Sequence, residues 1–127
     1  SEMCIRDRYK GIRIMGLGGS MQYRPGYFQY SEKQMRKRYR KLRRKIFFNR
    51  GVDIVVTHSP AKGINDGTDL PHQGFTVFKE IMEKHKPKYF VHGHVHQSYS
   101  HRFKRFDTFK DTVIVNSCER CIIDYEQ

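Results

Sequence analysis

The sequence predicts an α/β fold built around parallel β-strands. Two continuous apolar runs, VDIVVTH at 52–58 and KYFVH at 88–92, are typical of strands that are covered on both faces. A helical pattern lies between them, and a strand, a helix and a strand in this order form a βαβ unit with a right-handed crossover. The 127 residues are enough for one domain with a buried core.

The first strand is predicted at residues 12–15, because GIRIMG is short, rich in β-branched residues and followed by glycines. The glycine-rich stretch GLGGS comes next. It lacks the Lys-Ser/Thr of a P-loop and the third glycine of a dinucleotide-binding turn. We interpret it as a tight turn that could border a site.

The first helix is predicted at residues 32–48. Ser31 and Gln34 have the spacing of a capping box, which indicates a helix start. Apolar residues then recur at spacings of four, three and four, which gives the helix one buried stripe: Met35, Tyr39, Leu42 and Ile46. Gly51 ends the helix.

The second half of the chain is predicted to hold a strand at 53–57, a helix at 74–86 and a strand at 88–92. The strands at 12–15, 53–57 and 88–92 are expected to be parallel. Beyond residue 97 the stretch HRFKRFDTF alternates, as an edge strand does. DTVIVNS and CIIDYE are expected to form a C-terminal antiparallel hairpin around a four-residue turn.

The first ten residues differ from the rest. SEMCIRDR follows no hydrophobic period and resembles a translated sequencing adaptor, so we treat residues 1–10 as non-native and 11–127 as the domain. On this interpretation the true N-terminal part of the protein is missing. Three cysteines are too few for a disulfide framework, and no apolar run has membrane-spanning length, so a cytoplasmic location is expected.

Three histidines follow the predicted parallel strands. His58 comes after VDIVVT, and His94 and His96 come after YFVHG. Because the carboxyl ends of parallel strands meet at one edge, where open α/β sheets bind ligands, we expect the three imidazoles to converge. Neutral imidazole is a common ligand of zinc, iron, manganese and nickel, so the sequence predicts a metal site. Gly93 before the first of the pair would permit a tight turn.

Other histidines and the cysteines have simpler interpretations. His92 lies inside an apolar run and is predicted to pack in the core, while His72 and His101 have no partner by spacing. A single histidine at a strand end is more often a solvated loop residue. CERC, at 118–121, has CxxC spacing, but no second CxxC completes four zinc ligands, so reduced structural cysteines are expected.

The ordered pair DIVVTHSP and GHVH resembles the calcineurin-like metallophosphoesterase superfamily. GLGGS, GINDG, HQGF and KPKYFVHGHVH resemble its small bacterial branch, and the resemblance covers most of residues 11–125. It implies the C-terminal half of an α/β/β/α sandwich, with one layer missing and apolar surface exposed. It also implies a hydrolase of phosphoesters with two divalent ions (Mn, Fe, Zn or Ni), in which His58 and His94 bind one ion and His96 the other.

The resemblance is incomplete. The family's other ligands come from upstream Asp-x-His, Gly-Asp and Gly-Asn-His motifs, whereas before residue 53 this chain has one aspartate, Asp7, and no histidine. The bridging carboxylate, the Asn ligand and the His near the leaving group have no counterpart. No catalytic residue is therefore assigned, and the chain alone is expected to be nearly inactive.

Two alternatives remain open: a non-catalytic fragment, and a basic nucleic-acid-binding module that uses the helix at 32–48. The net charge is +12, and residues 31–50 hold ten Lys or Arg against one Glu. Such a cluster can contact several phosphates, but Tyr39 is the only aromatic residue within 36–45, and a charged helix face is usually just solvated. We expect weak, sequence-independent polyanion binding that salt removes, and no membrane partner.

Overall fold

The computed structural model describes residues 4–9, 11–21, 29–64, 74–93 and 106–117. For residues 4–9, 20–21 and 29 it describes the backbone alone. These residues form eight strands and two helices. In chain order the elements are β1 (Cys4–Tyr9), β2 (Ile12–Leu17), β3 (Ser20–Met21), β4 (Gln29–Tyr30), α1 (Glu32–Phe48), β5 (Ile54–Thr57), α2 (Thr76–His85), β6 (Tyr89–His92), β7 (Phe106–Phe109) and β8 (Thr112–Asn116).

Six of the strands form one sheet in the order β1-β2-β5-β6-β8-β7. The central strands β2, β5, β6 and β8 are parallel, and β1 and β7 pair antiparallel at the two edges. β3 and β4 form a separate parallel pair. The predicted α/β class and the parallel arrangement of the first three central strands are confirmed.

Helix α1 begins as its sequence predicts. The Ser31 side chain accepts a hydrogen bond from the Gln34 backbone N–H at 3.1 Å, and the Ser31 N–H donates to Gln34 Oε1 at 2.8 Å. The predicted stripe of four apolar residues is the buried face of the helix. The sequence was sufficient to predict this helix, because the capping box and the apolar stripe depend on residues three or four apart in the chain.

Helix α2 receives its N-terminal cap from α1. Its own N-cap residue, Phe75, makes no side-chain capping bond. The Glu32 carboxylate instead accepts from the backbone N–H groups of Thr76 at 2.7 Å and Val77 at 2.9 Å. A carboxylate there also opposes the positive end of the helix dipole, so this contact fixes the starts of the two helices together.

Both helices cover the same face of the sheet. Their buried residues join the inward side chains of β2, β5, β6 and β8 in one hydrophobic cluster. At its centre, the Phe78 ring lies 5.2 Å from Phe75 and 5.6 Å from Phe90, centroid to centroid. Neither described helix is long and apolar enough to cross a membrane.

The opposite face of the sheet is only partly covered. Val56 is 40% exposed, and Ile54, Val91 and Val113 are half-buried. Neither of the two described helices lies on this side, since their buried residues belong to the other cluster. Some apolar side-chain surface is therefore exposed on the described part of this face, and the missing layer that would cover it stays a prediction.

At the N-terminal end the structure adds a strand, and at the C-terminal end it corrects a prediction. Residues 4–9, which we set aside, form β1 and pair with β2 from Cys4↔Leu17 to Tyr9↔Ile12, although this pairing does not bear on the origin of the segment. The predicted hairpin between 111–117 and 121–126 is wrong, because β8 has β6 on one side and β7 on the other. The hairpin that forms is β7–β8, and Lys110 in its turn has a φ of 53°.

Candidate functional site

The carboxyl ends of β2, β5 and β6 meet at one edge of the sheet. Leu17 pairs with Thr57 across β2 and β5, and Val56 pairs with Val91 across β5 and β6. Just beyond these pairs, the Gly93 N–H donates to the His58 carbonyl oxygen at 3.1 Å. The Gly-His-Val-His unit therefore begins directly beside His58. His94 and His96 themselves lie outside the described residues.

The His58 side chain is exposed at this edge. It borders a groove of about 290 Å³, whose other walls come from the ends of β2 and β5: Ile14, Met15, Gly16, Leu17, Gly18, Val56 and Thr57. A histidine at a strand end that borders a groove is accessible to a metal ion or a small anion. The strand-end position was predicted, but the groove depends on the pairing of two strands about 40 residues apart in the chain.

Buried hydrogen bonds join the loop after β2 to the segment after β5. The Ser59 hydroxyl donates to the Gly19 carbonyl at 2.9 Å, and the Thr57 hydroxyl donates to the Ser59 carbonyl at 2.7 Å. Gly19 has a φ of 107°, a left-handed conformation that favours glycine. GLGGS therefore holds the end of β2, a two-residue connection and the start of β3, rather than the tight turn that the sequence predicts, and it is held against the segment that carries His58.

Arg38, on helix α1, also holds the loop after β2. Its guanidinium donates to the Gly18 carbonyl at 2.6 Å and lies 4.2 Å from the centre of the Tyr30 ring. Its Nε and Nη2 atoms are buried and have no hydrogen-bond partner among the described residues. The charge pattern of the helix predicts that Arg38 is solvated like its neighbours. However, Arg38 lies three residues after Met35, at the margin of the buried stripe, and this spacing is the sequence signal that could have indicated its structural role.

His92 is fully buried, as predicted. Its Nδ1 lies 3.1 Å from the Gly93 carbonyl oxygen, and its ring centre is 6.3 Å from that of Phe90. Burial lowers its pKa from 6.5 to about 4, and the Gly93 carbonyl partly opposes this shift. Its Nε2 has no partner among the described residues. His92 is therefore a neutral core residue at neutral pH, with Nδ1 as its donor.

The loop that follows His58 is closed at its base. The Phe75 N–H donates to the Pro60 carbonyl at 3.1 Å, and the Lys62 N–H donates to the Phe75 carbonyl at 3.2 Å. Gly74 permits this approach, because a Cβ there would lie 2.3 Å from the Pro60 carbonyl oxygen and 2.4 Å from the Ala61 carbonyl carbon. The glycine of HQGF thus fixes the loop geometry. Residues 65–73, including Asp66 and Asp69, are outside the described ranges.

Gly93 has a backbone conformation that other residues can also adopt. Its φ is outside the left-handed region, and among the described residues a Cβ would meet only the His58 carbonyl oxygen, at 3.9 Å. That distance is an ordinary van der Waals contact. The backbone conformation of Gly93 therefore does not itself require glycine, and the turn expected after it lies outside the described residues.

The described residues alone do not form a metal centre. Within ranges 4–9, 11–21, 29–64, 74–93 and 106–117, no group of three or more His, Cys, Asp or Glu could hold an ion. Glu32 caps α2, and Asp53 binds Arg13 at the opposite edge of the sheet, with 2.9 Å between Arg13 Nε and Asp53 Oδ2. The metal site at His58, His94 and His96 stays a prediction, because His94 and His96 lie outside the described residues.

No family model matches this chain, and no curated protein does. Solved structures do match. The chain is 13% identical to TT1561 of Thermus thermophilus, with a TM-score of 0.58, over 89% of this chain and 47% of that one. It is 20% identical to a second crystal structure, with a TM-score of 0.57, over 90% of this chain and 44% of that one. The chain thus spans less than half the length of each, and at these identities the likeness shows the fold alone.

Proposed function

We propose that this chain is part of a metal-dependent phosphoester hydrolase of the calcineurin-like metallophosphoesterase superfamily. His58, His94 and His96 are its metal ligands, at the carboxyl edge of the sheet. The observation that carries the proposal is the hydrogen bond from the Gly93 N–H to the His58 carbonyl, which makes the two histidine motifs neighbours. The motifs and the parallel β5–α2–β6 unit between them support the same interpretation.

The surroundings of His58 suit a ligand. Its side chain is exposed beside a groove, whereas His92, two residues before His94, is buried and neutral. The loop after β2 is fixed there by Ser59 and Arg38, so the walls of the groove are held in place. When bound, a pair of divalent ions would supply Lewis-acid stabilisation of the phosphate group.

The side chains of this chain fit that metal pair only in part. Three neutral imidazoles provide no negative oxygen to offset two dications, and the described carboxylates near the sheet are engaged elsewhere. In this proposal the carboxylate and amide ligands come from the upstream motifs that the family resemblance implies. The exposed sheet face is assigned to the missing layer of the sandwich. The cysteine count supports a reducing, cytoplasmic setting.

The test restores an upstream segment with the missing motifs and assays hydrolysis of bis-p-nitrophenyl phosphate with Mn²⁺ or Fe²⁺. His58→Ala, His94→Ala and His96→Ala should each lower the rate by at least about 100-fold, more than the loss of an outer-shell partner does. His85→Gln is the matched control, because His85 lies at the end of α2 and is bonded to Tyr39 at 2.9 Å. It should keep the rate.

Two results would contradict the proposal in different ways. Brisk metal-dependent hydrolysis by the 127-residue chain alone would show that the ligand count is wrong and that a different site exists. Absence of metal-dependent hydrolysis of any phosphoester by the restored protein would remove the family assignment itself.

A further inference from the structure

A second concave surface lies at the amino edge of the sheet, opposite His58. Helix α1 ends there, and Arg13, near the start of β2, donates to the carbonyls of Asn49 at 3.2 Å and Arg50 at 2.7 Å. The groove has a volume of about 1010 Å³. Its walls come from the ends of both helices and include Arg43, Arg44, Phe47, Phe48, Arg50 and Lys84.

Two aromatic rings stand exposed at this groove. Phe47 is 77% exposed and Phe48 is 78% exposed, and their ring centres are 5.8 Å apart in an edge-to-face arrangement. The buried stripe of α1 ends at Ile46, so neither ring has a place in the core. The two adjacent rings form a contiguous exposed apolar patch, and such patches mark interaction sites.

Helix α1 carries exposed cations along its length, up to the position of these two rings. Seven exposed Lys or Arg side chains lie on α1, and none makes an ion pair with a described residue: Lys33, Lys37, Arg40, Lys41, Arg43, Arg44 and Lys45. Two other cations of the helix are engaged, Arg36 with Glu80 and Arg38 with the Gly18 carbonyl. Six of the seven have another of these cations at i,i+4, in the row Lys33, Lys37, Lys41 and Lys45 and in the pair Arg40 and Arg44. Like charges at this spacing destabilise a helix, and a bound polyanion would relieve that repulsion.

We propose that this groove and the outer face of α1 bind single-stranded nucleic acid without sequence preference. Phosphates lie along the cations, and bases stack on Phe47 and Phe48. The helix is about 25 Å long, enough for several nucleotides. Charge alone predicted polyanion binding that salt removes; the exposed rings add a contact that salt does not screen.

The combination of charge, rings and shape selects this occupant. A sulfated polysaccharide has no planar rings to stack, and a duplex hides the faces of its bases within its own stack. An anionic membrane offers a broad flat surface, whereas these rings flank a concave groove. The surface is on the other edge of the sheet from His58, so its function does not depend on the proposed metal site.

The experiment measures fluorescence anisotropy of a labelled oligothymidylate of about 20 nucleotides with the full chain, in EDTA, over a series of salt concentrations. The logarithm of the affinity should fall linearly with the logarithm of salt, with a slope of about −3 to −4 if about five phosphates are contacted. The double variant Phe47→Ala, Phe48→Ala should lower affinity at least about ten-fold and leave the slope unchanged. Lys41→Gln with Arg44→Gln should make the slope shallower by about 1.4 if both side chains contact phosphates.

Matched controls separate this proposal from general stickiness. Phe106 is 55% exposed on the edge strand β7, so Phe106→Ala removes an exposed ring elsewhere and should leave binding unchanged. Lys62→Gln with Lys79→Gln removes two charges outside α1 and should leave the slope nearly unchanged. Far-UV circular dichroism confirms that each variant is folded, as expected for exposed positions.

Three outcomes overturn the proposal. In the first, the Phe47 and Phe48 variant binds as tightly as the Phe106 variant, which would leave charge as the only cause. In the second, a duplex or heparin binds as tightly as the single strand. In the third, phosphatidylserine vesicles bind more tightly than the oligonucleotide and depend on the two rings, which would make this a membrane surface. Binding of the single strand also stands or falls independently of hydrolysis by the restored protein.

Discussion

Gly74→Ala is expected to destabilise the chain strongly, although it adds a single methyl group. A Cβ at this position would lie 2.3 Å from the Pro60 carbonyl oxygen and within 2.6 Å of two Ala61 backbone atoms. These obstacles are backbone atoms, which cannot rotate away as a side chain can. The two backbone segments at the base of the loop, at Pro60–Ala61 and at Gly74, would have to separate by about 1 Å to restore normal contact distances.

The expected loss of stability can be worked out from the hydrogen bonds that this separation would break. Two backbone hydrogen bonds hold the base, Phe75 N–H to Pro60 at 3.1 Å and Lys62 N–H to Phe75 at 3.2 Å. Each contributes about 1 kcal/mol, and forcing a methyl group into a packed site costs roughly 1–3 kcal/mol more. Alanine returns less than about 1 kcal/mol through the unfolded chain. A net loss of about 2–4 kcal/mol is expected, which lowers Tm by roughly 10 °C in a domain of this size.

Gly93→Ala is the matched control, because its Cβ would meet the His58 carbonyl oxygen at 3.9 Å and its φ is not left-handed. It should change the free energy of unfolding by less than about 0.5 kcal/mol. Urea unfolding followed by far-UV circular dichroism, with a thermal melt, measures both variants. Equal stabilities of the two variants would refute the close approach at Gly74.

Two further predictions concern His92 and Ser59. The pKa of buried His92 is about 4 against 6.5 ordinarily, so the unfolded chain binds more protons between these values. The stabilisation is full above about pH 6.5 and falls by roughly 3 kcal/mol as pH approaches 4; urea unfolding in EDTA measures it, and a flat profile contradicts it. Ser59→Ala leaves the Gly19 carbonyl without its buried donor and should cost about 1–3 kcal/mol. Ser117→Ala is its control and should be nearly neutral, because the His92 carbonyl keeps the Ser117 N–H at 2.7 Å.

The best sequence predictions were those that depend on neighbouring residues. The capping box and the four-residue stripe gave α1 with its observed bounds, because a helix is closed by contacts three and four residues apart. Continuous apolar runs gave β5 and β6 as central strands. The apolar run at 88–92 also predicted that His92 is a core residue, as the structure shows.

Part of the candidate site was also predictable. Two strand-end motifs joined by one crossover place His58 and Gly93 at the same edge, and the hydrogen bond between them agrees with that. The supporting contacts were not predictable in the same way. Arg38 carries the same charge as its solvated neighbours. Its spacing from Met35 places it at the margin of the buried stripe, but its contact with the Gly18 carbonyl depends on where the GLGGS loop lies in the fold.

By itself, the sequence determined the class of fold, the two helices, three of the four central strands and the edge at which His58 lies. The tertiary structure decided which strands pair beside β8, why Gly74 must be glycine, that Glu32 caps a helix 44 residues away and that Phe47 and Phe48 remain exposed. The physical reason is range. Periodicity and capping record energies between residues within one or two turns, whereas strand partners, backbone approach and exposure depend on segments that meet only when the chain has folded.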